Sequence, residues 1–387
     1  KILSLAVVLI MLMTLSLNVS AQETYDSSSQ PKVELSKYIK NTSKSLTNKQ
    51  AQVIFGDIKK QLLFEYGDIY SFHNFSGEFE NERIEDGSTL IDVNIYADMT
   101  LTRHPSDSPF IKGMVEAVSE IDDEAEKGLI QDKINGYINE IETLYYNKPD
   151  ASVFIYTIKL KSNTLKTDNL LDKDIQYELF YRTDVTSEEI ILEPVGKLVK
   201  VEDYALAEES GREVVSEIKS DIIKSSIKAS GFYDRLEARD YALDHATDTP
   251  EFSGDQSDCA NFVSKSLNHG GIPVDKSGKW YPSTDGTVNT CGINWMRTGY
   301  YNNGGVVPYM TGKDYFYKES DTSKVFAGSI MYWTKTSHVA LVTYGDVTTI
   351  KYTQHSNKKL SSSAAKNVVY KTSISANFYK PESSIMK

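Results

Sequence analysis

The chain has 387 residues, with 42 basic and 54 acidic side chains and a formal net charge of −12 at neutral pH. The acid is concentrated in residues 22–230, which hold 24 basic and 39 acidic residues, against 17 and 15 in residues 231–387. A surface of that sign repels nucleic acid and anionic lipid, which excludes both as expected partners.

The chain opens on Lys1, runs apolar from Ile2 to Leu17 and ends that run in Val19-Ser20-Ala21. A basic start, an apolar stretch and small residues describe a secretory signal peptide over residues 1–21, cut after Ala21. The apolar run is short for a spanning helix and no later run is longer, so no stable membrane anchor is expected after cleavage. The expected location is therefore extracellular or at the cell wall. Residues 22–44 are a polar leader, and the chain beyond residue 44 is too long for one core, which predicts two domains.

The first domain is expected over residues 45–202. Ala51, Ile54, Phe55, Ile58 and Leu62 recur at helical spacing from Leu46 to Phe64. Strand-like runs at 74–83 and 89–103 flank Glu85-Asp86-Gly87-Ser88, a hairpin signal. Residues 109–147 read as helix in two pieces, the second with a stripe of Leu129, Ile130, Ile134, Tyr137, Ile138 and Ile141. Three strands come next, near 152–162, 174–183 and 188–201. The fold class is α+β, and this order of elements loosely matches cystatin-like or NTF2-like folds. Residues 203–230 are charged, lack proline and predict a helical connector. A protein partner for the acidic domain is a natural expectation.

Residues 231–387 carry the chemistry. A helix begins near Tyr233, and its His245 shares a face with Ala238, Tyr241 and Ala242, as a packing residue does. Pro250 and Gly254 break it. A second helix then runs from Cys259 to Gly270-Gly271, with Ser257 or Asp258 as N-cap and Ala260, Val263 and Leu267 buried. Cys259 thus sits in a first turn, where unpaired N–H groups and the positive helix end favour a thiolate. Asp258 opposes that, so a partner cation is required.

His338 is the expected base. Gly328–Trp333, Ser337–Tyr344 and Val347–His355 read as three strands, and the turn at Gly345-Asp346 sets their register. An even turn places Thr353 or His355 across from His338 and puts Ile350 and Tyr352 on the apolar face of Val339 and Leu341. His355 is then the expected orienting residue. Asn357 shares its parity, and Gln354 comes round only through an odd loop. Gln256 and the Cys259 N–H are candidate oxyanion donors. Trp280 and Trp295 are candidates to line a substrate groove. Asp255, Asp258 and Asp275 lack the alternation of a calcium loop, and neither a zinc spacing nor a phosphate-cradling glycine motif occurs, so no metal and no cofactor are expected. The two cysteines, Cys259 and Cys291, could also pair, which would leave no nucleophile and make the domain a binding module of the same fold.

The block Asp258-Cys-Ala-Asn-Phe-Val-Ser-Lys-Ser-Leu-Asn-His-Gly-Gly271, preceded by Tyr233-Asp-Arg235, closely resembles the putative amidase domain of exported bacterial proteins. Ala327-Gly-Ser-Ile-Met-Tyr-Trp333 and Ser337-His-Val-Ala-Leu-Val342 are also similar to CHAP and NlpC-type cell-wall hydrolases, which share a papain-like core. The resemblance covers about residues 233–380. It implies a Cys–His pair, matched by Cys259 and His338, and a third polar residue from the His355–Asn357 region. It further implies a cysteine amidase or peptidase whose substrate is an amide bond, above all in peptidoglycan peptides.

Overall fold

The computed structural model describes residues 38–161, 175–182, 192–225, 231–252, 258–299, 304–356, 365–371 and 376–387. Near its start, Thr47 and Gln50 form a capping box, and helix α1 (Asn48–Tyr66) buries Ala51, Ile54, Phe55, Ile58 and Leu62 as their spacing requires. Each of the larger side chains contributes about 1.5–3 kcal/mol on burial. Strand β1 (Ile39–Asn41) pairs in parallel with β2 (Tyr70–Glu85), which forms a long hairpin with β3 (Ser88–Leu101). Asp86 and Gly87, with φ of 48° and 72°, take the two left-handed positions of its tight turn.

The helical stretch after the hairpin divides into α2 (Pro109–Ser119) and α3 (Glu124–Leu144). Leu129, placed on the apolar stripe by sequence, is exposed, while Ile130, Ile134 and Ile141 are buried. Strands β4 (Pro149–Leu160), β5 (Tyr177–Arg182) and β6 (Leu192–Pro194) come next, then helix α4 (Tyr204–Ser225). Helices α2 and α4 meet at glycines. A Cβ on Gly113 would lie 2.0 Å from the Glu208 carbonyl oxygen, and one on Gly211 would lie 1.9 Å from that of Phe110. Only hydrogen fits there.

The remaining chain supplies α5 (Arg235–His245), α6 (Cys259–His269), α7 (Ile293–Met296) and α8 (Val306–Gly312). It then adds β7 (Phe316–Glu319), β8 (Ile330–Trp333), β9 (His338–Gly345), β10 (Ile350–Thr353), β11 (Val368–Val369) and β12 (Asn377–Pro381). The class is α+β, as expected. Strands from both stretches join one sheet in the order β1-β2-β3-β4-β11-β10-β9-β8-β12-β7. The join is at β4, which meets β11 at Val153 and branches to β5 from Tyr156 onward. Ser36–Lys387 form one compact unit.

Alternation along β8 and β9 feeds two cores on opposite faces of the sheet. Met331, Trp333, Ala340, Val342 and Tyr344 extend the core that α1 builds on β2, β3 and β4. Ile330, Tyr332, Val339 and Leu341 face a second core made with α5, α6, α7 and α8. A third cluster lies among α2, α3 and α4. Among the described residues no helix is long and apolar enough to cross a membrane.

Candidate active site

Helix α6 begins where the sequence places it, with Cys259 as its first residue and Asp258 at the N-cap position. It ends at Gly270, where a Cβ would lie 2.7 Å from the Asp234 carbonyl oxygen at the start of α5. This close approach holds α6 against the start of α5. Asp258 does not cap the backbone of α6. Its Oδ1 accepts from Asn261 Nδ2 at 2.8 Å and from the Phe252 N–H at 3.2 Å, and its Oδ2 lies 2.8 Å from His355 Nδ1.

His338 opens β9, directly across from Trp333 on β8, with ring centroids 5.3 Å apart. Its Nε2 lies 2.7 Å from Gln354 Oε1. An amide oxygen only accepts, so Nε2 carries the proton of this bond, and in the neutral ring Nδ1 is then the basic nitrogen. This arrangement corrects the expectation for the orienting residue. His338 is bonded by Gln354, whereas His355 turns to the other side, stacked on Phe262 of α6 with centroids 4.2 Å apart.

The physical cause is a β-bulge. Ile350 pairs with Gly345 and Lys351 with Tyr344, but Tyr352 then pairs with Val342 and Thr353 with Leu341, so Thr343 is skipped. The loop at Asp346–Thr349 is even, yet one extra residue in β9 reverses parity beyond it. Continued past Thr353, the register sets Gln354 across from Ala340, on the His338 side, and His355 across from Val339, on the α6 side. Tyr352 likewise joins the Val342 face rather than that of Val339 and Leu341. The Thr343 hydroxyl holds the bulge, bonding Thr353 Oγ1 at 3.1 Å and Asn367 Oδ1 at 3.0 Å.

The two bonds lie at one strand end, Asp258 to His355 on the α6 side and His338 to Gln354 on the other, linked through the adjacent residues Gln354 and His355. Cys259 and His338 are both buried, 1% and 2% exposed, and not open to solvent as a substrate pocket would suggest. A cavity of about 450 Å³ lies elsewhere, between the α3–α4 helices and the C-terminal strands, and neither residue lines it.

Neither Cys259 nor Cys291 is in a disulfide. Burial, with the Glu251 carboxylate adding to it, pushes the Cys291 thiol up to about 11, which suits a packing residue. The groove roles for Trp280 and Trp295 do not hold. Both are core residues, 0% and 1% exposed, with ring centroids 4.6 Å apart and planes tilted by 46°. Their indole nitrogens bond Ser264 Oγ and Asn261 Oδ1 on α6. His245 lies at the end of α5, its ring on Asp248 and its carbonyl on His355 Nε2. The signal peptide, Gln256 and Asn357 lie outside the described residues.

Residues 232–379 match the family model of the putative amidase domain, which supports a hydrolase acting on amide bonds. No curated protein and no solved structure matches the chain.

Proposed function

We propose that residues 231–387 are an exported cysteine amidase or peptidase, with Cys259 as nucleophile, His338 as base and Gln354 as the residue that orients the base. The observation that carries this reading is the His338–Gln354 bond at the end of the sheet where the Cys259 helix begins. It fixes the ring so that Nδ1 is the nitrogen able to take a proton. We read the nucleophile-bearing helix packed on antiparallel strands as papain-like. We read residues 45–202 as a cystatin-like or NTF2-like domain, joined through residues 203–230 and suited to a protein partner.

The reaction is acyl transfer. His338 Nδ1 takes the Cys259 proton, and the thiolate attacks the amide carbon to form a C–S bond. The backbone N–H of Cys259 steadies the oxyanion. The C–N bond then breaks as the imidazolium gives its proton to the leaving amine. Water, losing a proton to His338, attacks the thioester and releases a carboxylic acid and the thiol. Every proton transfer passes through His338.

Peptidoglycan peptides are the substrate we assign, on the resemblance to wall hydrolases and the apolar leader at residues 2–17. The absence of a disulfide at Cys259 favours catalysis over a binding-only module. Hydrolysis of muropeptides by the full chain, measured as released amine, tests the reading. Cys259→Ala and His338→Ala should each lower the rate by at least about a thousandfold. A Cys259→Ala protein that retains the wild-type rate overturns it.

A further inference from the structure

Asp258 places a negative charge one residue from the thiol, where it opposes both the helix dipole and thiolate formation. Its partner is His355, and the geometry of that ring is specific. Nδ1 faces Asp258 Oδ2 at 2.8 Å, and Nε2 faces the His245 carbonyl oxygen, also at 2.8 Å. A carbonyl and a carboxylate only accept, so both bonds form together only when the ring holds two protons and a positive charge. The ring lies flat on Phe262, at 17° between planes, a face that attracts a cation. The two side chains are 8% and 3% exposed, so water screens them little.

We infer that Asp258 and His355 are positioning residues for the Cys259 nucleophile: His355 cancels the charge beside the thiol, and the pair clamps the helix of Cys259 to the strand end of Gln354. The inference rests on the proposed cysteine mechanism.

Among the described residues, the other charged groups facing the pair have partners of their own. From the loop before α6, Glu251 accepts from Asn261 Nδ2 at 2.9 Å and pairs with Lys265 of α6 at 2.5 Å. On α5, the His245 ring is 2.7 Å from Asp248 and lies against Tyr241. On the sheet, His338 meets the neutral Gln354. Among these partners, His355 is the cationic one that touches Asp258.

A charge role and a merely structural role differ in one measurable way. If His355 matters because it cancels Asp258, removing both charges restores what removing one takes away. If it matters only as packing, the double variant is at least as damaged as the single.

The test is the rate of Cys259 alkylation by iodoacetamide against pH in the full chain, located by peptide mass spectrometry, with urea midpoints as a check of fold. In the wild type the midpoint should fall below the ordinary thiol value of about 8.5. His355→Gln should raise it by about one unit, an alkylation rate about tenfold slower at fixed lower pH. The double variant Asp258→Asn/His355→Gln should recover most of that loss. Should His355→Gln not fold, the comparison of Asp258→Asn with the double variant replaces it, and the two midpoints should agree. A double variant as slow as His355→Gln, or a His355→Gln protein with the wild-type midpoint, overturns the inference while leaving the nucleophile in place. A wild-type Cys259 that titrates as an ordinary thiol removes the cysteine reading itself.

Discussion

The two stretches of this chain use buried polar groups differently. In residues 38–225 one such set spans three strands of the sheet. Arg182 on β5 reaches Asp92 and Asn94 on β3 at 2.6 Å each, and Thr157 on β4, between them, bonds Asp92 at 2.9 Å. In residues 231–387 the bonds instead meet at one strand end, where His355 ties Asp258 before α6 and the adjacent Gln354 ties His338 of β9. The first set holds strands of the sheet together. The second flanks a thiol at a helix start. Buried charge alone therefore does not mark a site; its neighbour does.

A third set joins the stretches. Lys371 bonds Glu65 Oε2 at 2.8 Å, with its ammonium 4.4 Å from the centre of the Tyr66 ring. Burial pulls that ammonium down, but Tyr156, Tyr66, Glu65 and Tyr181 outweigh it and hold it well above its ordinary value. Lys351 bonds Asp150 and Ser152 at 2.6 Å each. Asp346 accepts from Tyr70 and Tyr344 at 2.7–2.9 Å.

The sharpest way to break the contrast is at this junction. Glu65→Ala leaves Lys371 buried without its carboxylate and should cost about 3–5 kcal/mol in urea unfolding. A loss under about 1 kcal/mol would mean that the stretches do not depend on this bond. Gln354→Ala should lower kcat for amide hydrolysis about a hundredfold at unchanged urea midpoint, because the His338 ring loses its orientation. Equal losses of activity and stability would place Gln354 with the structural set. Gly211→Ala forces α2 and α4 apart against backbone and should cost about 1–3 kcal/mol, with Gly113→Ala behaving alike.

The smallest effect concerns pH. Burial raises the Asp346 carboxyl above its ordinary range, against the pull of its donors Tyr344, Thr349 N–H, Tyr70 and Thr348 N–H. A raised folded value means the native state holds this proton longer than the unfolded chain does. The contribution of Asp346 to stability is therefore full below the ordinary carboxylate range and is lost as pH rises through the folded value. Asp346→Asn should flatten that part of the stability profile, and a profile parallel to the wild type contradicts the assignment.

Much of the scaffold was legible because it is local. The Asp86-Gly87 turn, the α1 stripe and the first-turn place of Cys259 each depend on a few adjacent residues. The third polar residue was not, because parity at Gln354 depends on a bulge at Thr343 that no hydrophobic pattern announces. The pairing of Asp258 was hidden for a related reason. An acid before a helix reads as a cap, and only the fold reveals that its oxygens go to His355, Asn261 and Phe252. The tryptophans stayed open between groove and core, because bulk and aromaticity suit both, and the fold places them in the core. Leu129 failed because α3 packs only one side against α2 and α4.

The central claim is that the thiol at residue 259 performs the chemistry, and one titration addresses it most directly. Iodoacetamide labelling of Cys259 in the full chain, quantified by peptide mass spectrometry, is measured beside muropeptide hydrolysis in the same sample. Activity should fall in proportion to the labelled fraction and reach background at complete labelling. Hydrolysis that persists undiminished once Cys259 is fully alkylated contradicts it.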